Sequence, residues 1–327
     1  ATTTTTTTTQ IPAIRTPEER FTILPGFPYK PTYIDTLPGY ESLRMAYYDI
    51  GTSSSKTTTT ATNETFLCLH GEPSWSYLYR KMIPIFESHG RNRVICVDLF
   101  GFGRSDKPTQ RDTYTFTFHR NSLLRLVEHL SLRNITLVCQ DWGGVLGLTL
   151  PLDLPAGTFT NAIVMNTGLP PGRPPSKGFM QWRQFAEKAT DIPVSGGIAL
   201  DVGPTAMTLW DAMAYDAPFP DARFKAGVHQ FPLLVAITPE MDGAALTRPA
   251  AKWWRESFTG KAFVAVGVRD RVVGVKQMQA VRDLLFDKCS PPLFRVEEGG
   301  HFVQEYGEEI AMRAMEHLFE FKPSSKL

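Results

Sequence analysis

NITLVCQDWGGVLG, residues 134–147, carries the strongest structural signal in this 327-residue chain. Its first part, ITLVCQ, is a short apolar run rich in β-branched residues, which predicts a buried strand. Gly143 and Gly144 follow at once, and small residues let the next helix pack close to the strand. The chain must therefore turn sharply at Asp141, which places that carboxylate at the end of the strand. Aspartate is also a common helix cap, so this segment alone leaves a structural role for Asp141 open.

The same order of strand, turn and helix recurs from Phe66 onward. Short apolar runs predict strands near 66–70, 93–98, 135–140, 161–166, 262–267 and 293–297. Segments with helical spacing predict helices near 77–89, 117–131, 142–152, 275–286 and 305–321. This alternation predicts an α/β fold with a mostly parallel, doubly wound sheet covered by helices on both faces.

Three segments depart from this pattern. The Thr-rich residues 1–14 have little to bury, and we expect a disordered tail. The polar tract over 51–64 is expected to be an enlarged surface loop between two strands. Residues 169–235 are rich in Pro and Gly and contain short helical segments without a convincing strand, which predicts a helical cap, or lid. The core would then consist of residues 15–168 and 236–327.

Net charge and composition exclude several classes of partner. Thirty-four Lys and Arg residues against 33 Asp and Glu residues give a formal charge of +1, which offers no long-range attraction to phosphate backbones or anionic lipids. No apolar run approaches the roughly 20 residues of a membrane-spanning helix, and no signal-peptide pattern is present. We therefore expect a soluble protein with neither a nucleic-acid nor a membrane partner.

The cysteines and the short motifs point to no cofactor. Cys68, Cys96 and Cys139 lie in strand-like apolar runs, so we expect reduced thiols and a cytoplasmic location. Neither HExxH nor CxxC occurs, so no metal site is expected. The glycine-rich turn after Asp98 lacks the GxGxxG pattern and the Walker lysine that would indicate a phosphate-binding loop. Nothing in the sequence requires more than a monomer.

Chemically informative side chains follow three of the predicted strands. Asp141, Asp270 and His301 come after the strands near 135–140, 262–267 and 293–297. The carboxyl ends of parallel strands meet at one edge of the sheet, where ligands bind. Nucleophile, acid and base occur in this order in the α/β-hydrolase fold, whose nucleophile lies in a sharp turn between strand and helix. The sequence therefore predicts that fold, with these three residues as a catalytic triad.

An aspartate in the nucleophile position indicates a particular chemistry. Asp141 is ionised at neutral pH and can attack a saturated carbon without prior deprotonation, which forms an alkyl ester. His301 could then activate water to hydrolyse that ester, while Asp270 holds the imidazole. The ester oxygen would lie against the backbone N–H groups of Trp142 and Glu72 as an oxyanion hole. This argument assigns no role to the Glu72 side chain.

Several long blocks of sequence resemble one family, the haloalkane dehalogenases. The blocks are HGEPSWSYLYRKMIPIF, DLFGFGRSDKP, YTFTFHRNSLL, NITLVCQDWGG, AYDAPFPD and GGHFVQEYGE. They occur in the family's order between about Arg15 and Glu309, interrupted by the Thr-rich loop and by a divergent middle of the cap. Many ordered blocks form a stronger match than any single motif.

The resemblance implies hydrolysis of haloalkanes by water to alcohol, halide and a proton. Asp141 would be the nucleophile and His301 the base. Family members differ in whether the acid follows the sixth or the seventh strand. The earlier position here is Asn166, so the acid assignment goes to Asp270. In this branch two indole N–H groups hold the halide, and Trp142 matches the one beside the nucleophile.

The second halide ligand lies in the cap and is harder to assign. GFMQWRQFA resembles the family's cap segment and nominates Trp182, with Trp210 as the competing residue. Indole is a donor-only group in an apolar frame, which suits a large anion. Plain packing of the lid is the alternative role for either tryptophan, and it accounts for Trp210 better than for Trp182. Four phenylalanines could line the pocket or serve only as core: Phe179, Phe185, Phe219 and Phe231.

Three other functions compete with dehalogenation. Epoxide hydrolases also attack with aspartate, but their leaving alkoxide takes a proton from cap tyrosines, and residues 169–235 contain only Tyr215. A catalytically silent binding protein could share the fold, although such proteins often lose a triad residue. A serine esterase would need a GxSxG motif, which is absent. We therefore expect a haloalkane dehalogenase.

Overall fold

An eight-stranded sheet forms the centre of the protein. The computed structural model describes residues 10–51, 64–88, 92–203 and 205–321. The strands in these residues are β1 (Ala13–Ile14), β2 (Thr32–Ile34), β3 (Met45–Gly51), β4 (Thr65–Leu69), β5 (Arg93–Asp98), β6 (Lys107–Pro108), β7 (Ile135–Gln140), β8 (Phe159–Met165), β9 (Lys261–Gly267) and β10 (Leu293–Val296). The sheet order is β10-β9-β8-β7-β4-β5-β3-β2, and β1 pairs with β6 separately.

Helices cover both faces of this sheet and fill the long connection between β8 and β9. The helices in the described ranges are α1 (Ile83–Glu87), α2 (Phe116–His129), α3 (Trp142–Gly147), α4 (Lys177–Lys188), α5 (Val194–Val202), α6 (Leu209–Asp216), α7 (Ala226–Leu234), α8 (Ala244–Glu256), α9 (Val275–Leu285) and α10 (Gly307–Phe319). None of them is both long and apolar enough to span a bilayer.

Burial on both faces explains why the central strands are apolar throughout. Every residue of β4 and β7 is buried. Strands that are neighbours in the sheet pair in parallel from β10 at one end as far as β5. At the other end of the sheet, β3 and β2 are added in antiparallel orientation. Each fully buried Leu, Ile or Val side chain contributes about 1.5–3 kcal/mol of hydrophobic stabilisation. The parallel arrangement brings the residues after β7, β9 and β10 to one edge of the sheet.

The predicted strands are confirmed as β4, β5 and β7 to β10, and two helix predictions need correction. The segment predicted as helix over 77–89 begins with a 3-10 turn at Ser76–Tyr79, and only α1 is α-helical. Pro84 explains the late start, because proline is favoured in the first turn of a helix and destabilises positions further inside it. Helix α8 is missing from the prediction, since Pro249 lies inside it and argues locally for a loop.

The predicted disordered tail over 1–14 extends too far. Residues 1–9 lie outside the described residues, but Ala13–Ile14 forms β1 and pairs with Lys107–Pro108. The next residue, Arg15, donates two hydrogen bonds of 2.7 and 2.8 Å to the Asp106 carboxylate. A two-pronged bond of this kind fixes the direction of the chain as well as its position. The ordered part therefore begins before Arg15.

The Thr-rich loop predicted over 51–64 falls mostly on residues 52–63, which lie outside the described residues. The residues on either side are well placed: Gly51 and Thr65 both pair with Arg93. Arg93 is the first residue of β5, so both flanks lie at the amino-terminal edge of the parallel strands. The side chains that follow β7, β9 and β10 lie at the opposite edge.

Helices α4 to α8 lie where the chain leaves the sheet after β8 and before it returns in β9. Helix α4 packs against α7, and α5 packs against α6. The described part of 169–235 contains no strand. Division of the chain into a core (15–168 and 236–327) and a lid (169–235) stays a prediction.

A buried ionic cluster joins α6 to the rest of the protein. Arg80 donates two hydrogen bonds of 2.7 Å to Glu305 and lies 3.2 Å from Asp211 on α6. The Tyr215 hydroxyl, also on α6, donates to Glu305 at 2.5 Å. Arg80 and Glu305 side chains are 2% and 0% exposed, so the pairing is shielded from solvent. The motifs SYLYRKM, AYDAPFPD and FVQEY thus meet in one structural unit.

Candidate active site

Asp141 occupies a strained turn between β7 and α3. Its backbone angles are φ 50° and ψ −126°, a conformation that non-glycine residues rarely adopt. The turn is held by the Thr167 hydroxyl, which donates to the Asp141 carbonyl oxygen at 2.6 Å. The two following glycines are required sterically, because a Cβ on Gly143 would lie 1.9 Å from the Leu69 carbonyl oxygen. The nucleophile elbow predicted from the sequence therefore has a direct geometric basis.

The carboxylate of Asp141 faces the neighbouring loop and the histidine. Its Oδ1 accepts a hydrogen bond from the Glu72 backbone N–H at 2.9 Å, and its Oδ2 lies 3.3 Å from His301 Nε2. No hydrogen bond from this side chain caps α3. Gly71 makes the approach possible, since a Cβ there would lie 2.3 Å from Asp141 Oδ1. The simple capping role considered for Asp141 is wrong.

His70 holds the loop that presents the Glu72 N–H group. Its Nε2 accepts a hydrogen bond from the Leu99 backbone N–H at 3.1 Å. Its Nδ1 must therefore carry the proton, and it donates to the Gly71 carbonyl oxygen at 2.9 Å. Burial lowers the pKa of His70. A neutral, fully buried imidazole thus fixes the loop whose Glu72 N–H contacts Asp141 Oδ1.

Asp270 fixes the orientation of the His301 imidazole. Its Oδ2 lies 2.7 Å from His301 Nδ1 and accepts a hydrogen bond from the Asn166 carboxamide at 2.8 Å. Its Oδ1 accepts backbone N–H bonds from Val272 and Val273 at 2.6 and 3.0 Å. Burial opposes ionisation, but His301 and these hydrogen bonds outweigh it and lower the pKa of Asp270. The carboxylate is therefore ionised, and Asn166 supports it from the earlier strand.

His301 lies between two carboxylates. Burial alone would lower the pKa of His301, but Asp270 and Asp141 outweigh that effect and raise it well above its ordinary value. The contribution of Asp141 disappears when that carboxylate becomes a neutral ester. Esterification would therefore make the imidazole more ready to release its proton, at the stage where a base is needed. Gln140 donates to the His301 carbonyl oxygen at 3.1 Å and anchors the loop from β7.

These groups open into a cavity of about 440 Å³ beneath the helices that follow β8. Its polar side chains are few, and most of the wall is apolar. The residues around it include Glu72, Pro73, Asp141, Trp142, Phe179, Trp182, Phe185, Ile192, Val194, Ile198, Leu200, Asp201, Pro232, Val272, His301 and Phe302. Such a cavity suits a small apolar substrate with one reactive end. Among the described residues, no group of three His, Cys, Asp or Glu side chains is arranged to hold a metal ion.

The two tryptophans considered as the halide ligand of the cap differ in their position relative to the cavity. Trp182 lies on α4 and lines the cavity, as does Trp142 beside the nucleophile. Trp210 lies on α6, is 56% exposed and is not part of the cavity wall. Of the four phenylalanines, Phe179 and Phe185 line the cavity. Phe231 packs behind Trp142 at 4.9 Å between ring centroids, and Phe219 packs on Phe102 at 6.3 Å.

Two cavity residues are not assigned a side-chain role by sequence reasoning. The Glu72 side chain lines the cavity, although the motif argument uses only its backbone. Asp201 on α5 accepts a hydrogen bond from the backbone N–H of Phe302, the residue after His301, at 3.0 Å. Asp201 and Phe302 are 101 residues apart, and ALDVG has no distinguishing motif, so the sequence gives no signal for this contact. The oxyanion hole is partly seen: Glu72 N–H contacts Asp141, whereas no bond from the Trp142 backbone N–H to that carboxylate occurs in the described residues.

Comparison with known proteins now identifies the family. A model of the alpha/beta hydrolase fold family matches residues 64–308. A haloalkane dehalogenase of Psychrobacter cryohalolentis is 39% identical over 303 residues, which cover 91% of this chain and 95% of that protein. The tetrameric haloalkane dehalogenase DpaA of Paraglaciecola agarilytica NO2 is 49% identical, with a TM-score of 0.89 over 95% of this chain and 100% of its own. The chain belongs to the haloalkane dehalogenase family.

A haloalkane dehalogenase of Mycobacterium marinum is 36% identical over 92% of this chain and 97% of its own length, which supports the same family. As a haloalkane dehalogenase, the protein is a hydrolase that acts on carbon–halogen bonds in small molecules. The predicted fold and the predicted reaction are confirmed. Roles of individual residues in this dehalogenase rest on the geometry above, and they remain predictions.

Proposed function

We propose that this dehalogenase works in two steps through a covalent ester on Asp141. One observation carries the proposal. Asp141 has one carboxylate oxygen bound by the Glu72 N–H and the other 3.3 Å from His301 Nε2, at the wall of a mostly apolar cavity. A carboxylate in that position can attack carbon, and the histidine is placed to act on the ester that results.

In the first step, Asp141 Oδ2 attacks the carbon that bears the halogen. The carbon–halogen bond breaks, and the halide departs with the bonding electrons toward the indole N–H groups of Trp142 and Trp182. These donors lie in an apolar wall, where a hydrogen bond to an anion is stronger than in water. The Asp141 carboxylate faces a mostly apolar wall, so its attack does not require removal of a full hydration shell.

In the second step, His301 takes a proton from water, and the hydroxide adds to the carbonyl carbon of the ester. Glu72 N–H remains on Oδ1 and stabilises its developing charge, together with the N–H of Trp142 in our proposal. Collapse of this intermediate releases the alcohol and restores the Asp141 carboxylate. Asp270 stabilises the imidazolium throughout. The helices over 169–235 act as the lid that keeps the cavity dry.

Mass spectrometry tests the covalent intermediate. His301→Gln should still be alkylated by 1-bromobutane but should hydrolyse the ester very slowly, so the peptide containing Asp141 gains a butyl group. Asp141→Asn in the same background is the matched control and should gain nothing. If His301→Gln gains no mass while the wild type releases bromide normally, the two-step scheme is wrong.

Fluorescence tests the halide site. Bromide should quench tryptophan emission saturably, and Trp182→Phe should weaken this binding by about tenfold, since one of two donors to an anion is lost. Trp210→Phe is the matched control, because Trp210 is exposed and lies outside the cavity wall. An unchanged binding curve in Trp182→Phe would remove that residue from the site.

Tyrosine-assisted epoxide hydrolysis finds no support at this site. Tyr215 is the single tyrosine of 169–235. It is fully buried, and its hydroxyl donates to Glu305. It is therefore engaged in the ionic cluster below α6 and is not part of the cavity wall.

Self-association is a further part of the proposal. The sequence favours a monomer, but the related DpaA is tetrameric. Helix α6 exposes Leu209, Trp210 and Met213 by 76, 56 and 54%, an unusual concentration of exposed apolar side chains. We propose that a second copy of the chain covers this face. Light scattering should show an oligomer that Trp210→Glu dissociates. A monomeric wild type at micromolar concentration would restore the original expectation.

The cellular location is also a proposal. Cys68, Cys96, Cys139 and Cys289 are all free thiols in the structure. Free, mostly buried cysteines are typical of a reducing compartment, and this supports the cytoplasm.

A further inference from the structure

The side chain of Glu72 is a buried acid that dehalogenation does not use. Glu72 is 5% exposed and lines the active-site cavity. Its Oε1 has no hydrogen-bond partner among the described residues. A buried polar group without a hydrogen-bond partner lowers the stability of a protein by about 1–3 kcal/mol. Such a group in an active site therefore needs an explanation, and a functional role is one.

Burial and the neighbouring charge favour the protonated form of this carboxyl group. Burial raises the pKa of Glu72 well above its ordinary value, and the Asp141 carboxylate raises it further. His301 and the indole N–H of Trp182 act in the opposite direction but more weakly. No Lys or Arg in the described part of the chain forms an ion pair with Glu72 to stabilise its anion. Glu72 therefore stands beside the nucleophile as a neutral carboxylic acid with an O–H to donate.

Its position is on the side of the leaving group. Trp182 lines the same cavity as Glu72, its indole N–H lowers the pKa of that carboxyl group slightly, and Trp182 is the cap donor assigned to the departing halide. The Glu72 backbone N–H meanwhile contacts Asp141 Oδ1. One residue thus extends from the nucleophile to the place where the leaving group emerges.

We propose that the Glu72 carboxylic acid protonates oxygen leaving groups, so that this enzyme also hydrolyses small terminal epoxides to diols. The proposal rests on Asp141 as the nucleophile. A halide leaves as a stable anion and needs no proton, but an alkoxide is strongly basic and does. The donor that epoxide hydrolysis requires is therefore present here as a carboxylic acid, although no tyrosine lines the cavity in the described residues.

The atoms and charges balance. Asp141 attacks an epoxide carbon, the ring C–O bond breaks, and the ring oxygen takes the proton of Glu72. Negative charge has then moved from Asp141, now a neutral ester, to Glu72. Because the net charge of the buried site does not change, the transfer avoids placing two carboxylates side by side.

Ester hydrolysis restores the starting state. Water adds to the ester carbonyl by way of His301. One proton of that water leaves on the diol, and the other passes through His301 to the Glu72 carboxylate. The oxygen of the water stays in the Asp141 carboxylate. Epoxide and water give diol with no net release of a proton, in contrast to dehalogenation.

Paired substrates test the proposal. Purified wild type, Glu72→Gln and Asp201→Asn are assayed with 1,2-epoxybutane, followed as butanediol, and with 1-bromobutane, followed as bromide. Glutamine matches the size of Glu72 and keeps the backbone N–H, but it has no proton to give. The ratio of epoxide to bromoalkane turnover should fall by about 100-fold in Glu72→Gln, in the range of general acid catalysis. Asp201→Asn also replaces a carboxylate in the cavity wall, and it should leave that ratio unchanged.

Adduct masses separate this inference from the function on which it rests. In His301→Gln, epoxybutane should add its full mass to the peptide containing Asp141, and in His301→Gln with Glu72→Gln it should not. Bromobutane should alkylate both proteins. Alkylation by bromobutane without an epoxide adduct or diol, or an unchanged ratio in Glu72→Gln, would overturn the role of Glu72. Absence of both adducts would overturn the Asp141 ester and this inference with it.

Discussion

Asp141 holds a backbone conformation that few aspartates adopt, and its surroundings explain why it is kept. Such a conformation costs about 1–3 kcal/mol unless neighbouring contacts enforce it. Here a hydroxyl bond to the carbonyl oxygen and close contacts at Gly71, Gly143 and Gly144 leave the chain no alternative. The strain turns the carboxylate away from the helix and toward His301. The strained backbone of Asp141 therefore costs stability, and its effect is to orient the carboxylate toward His301.

Substitution of Gly71 tests whether this orientation of the Asp141 carboxylate is needed for alkylation. In Gly71→Ala the new Cβ would meet Asp141 Oδ1 at 2.3 Å, so the carboxylate must move out of line. We expect the alkylation rate to fall by about 100-fold, because a displacement of about 1 Å has effects of that size. Gly168→Ala is the control, since its Cβ would meet only Val281 at an ordinary 3.9 Å. Equal rates in the two variants, measured by rapid quench, would contradict this reading of the elbow.

The pKa of His301 sets the pH dependence of ester hydrolysis. A base acts only when deprotonated, and the neighbouring carboxylates raise the pKa of His301. Decay of the alkyl-enzyme should therefore accelerate as pH rises through that pKa and then level off. Asp270→Asn removes the charge that remains after esterification, so levelling should begin at lower pH. Its plateau should be roughly 1,000-fold lower, because the imidazolium loses its partner. Single-turnover decay across the neutral range measures both; an identical pH profile in the two proteins would contradict the assignment.

At the scale of elements, helix α5 contacts the loop that carries His301. Asp201 accepts a hydrogen bond from the Phe302 N–H at 3.0 Å and thereby connects α5 to the residue after His301. Hydrogen bonds to charged groups contribute about 1.5–3 kcal/mol. Asp201→Ala should slow ester hydrolysis by about tenfold and leave alkylation nearly unchanged, since only the second step uses the base. Asp201→Asn, which keeps an acceptor oxygen, should restore much of the rate. Equal slowing of both steps in a quench experiment would indicate a general structural effect instead.

The buried ionic cluster that joins α6 to the rest of the protein contributes to the stability of the fold. Glu305 accepts two hydrogen bonds from Arg80 and one from Tyr215. Removal of one partner from a buried pair costs about 3–5 kcal/mol when the remaining charge is uncompensated. Lys81 Nζ lies 3.0 Å from Glu305 Oε2 and still compensates part of the charge when Arg80 is lost, so we expect the lower end of this range, about 3 kcal/mol. Arg80→Met should therefore lower the free energy of unfolding by that amount in denaturant titrations. Arg125→Met breaks the exposed pair with Glu128 and should change it by about 0.5 kcal/mol at most. Comparable losses of unfolding free energy in the two variants would show that the buried cluster stabilises the protein no more than an exposed ion pair does.

Across the whole molecule, the sequence predicts what depends on short-range order. The elbow at Asp141 follows from an apolar run and two glycines that are adjacent in the chain. Asp270 and His301 could be placed because each follows a predicted strand, and parallel strands share an edge. The family resemblance added Trp182, which the structure brings into the cavity wall.

The remaining features depend on contacts between distant parts of the chain. Nothing local to Asp201 indicates that it bonds to Phe302, and nothing local to Glu72 reveals that one oxygen of its carboxyl group is buried without a hydrogen-bond partner in the described residues. Helix α8 is hidden from pattern analysis by Pro249, although Trp254 secures it by donating to the Leu148 carbonyl oxygen at 2.7 Å. Burial and tertiary pairing outweigh local propensity in these places.

Gly51 and Thr65 both pair with Arg93, on the far side of the sheet from Asp141 and His301. A peptide tag or a surface anchor introduced between those two positions would therefore be joined to the protein at the edge of the sheet opposite to the candidate active site. Enzyme immobilised through this junction should present the candidate active site to the solution. The junction is therefore a suitable attachment point for a biosensor or for a packed reactor that removes halogenated solvents.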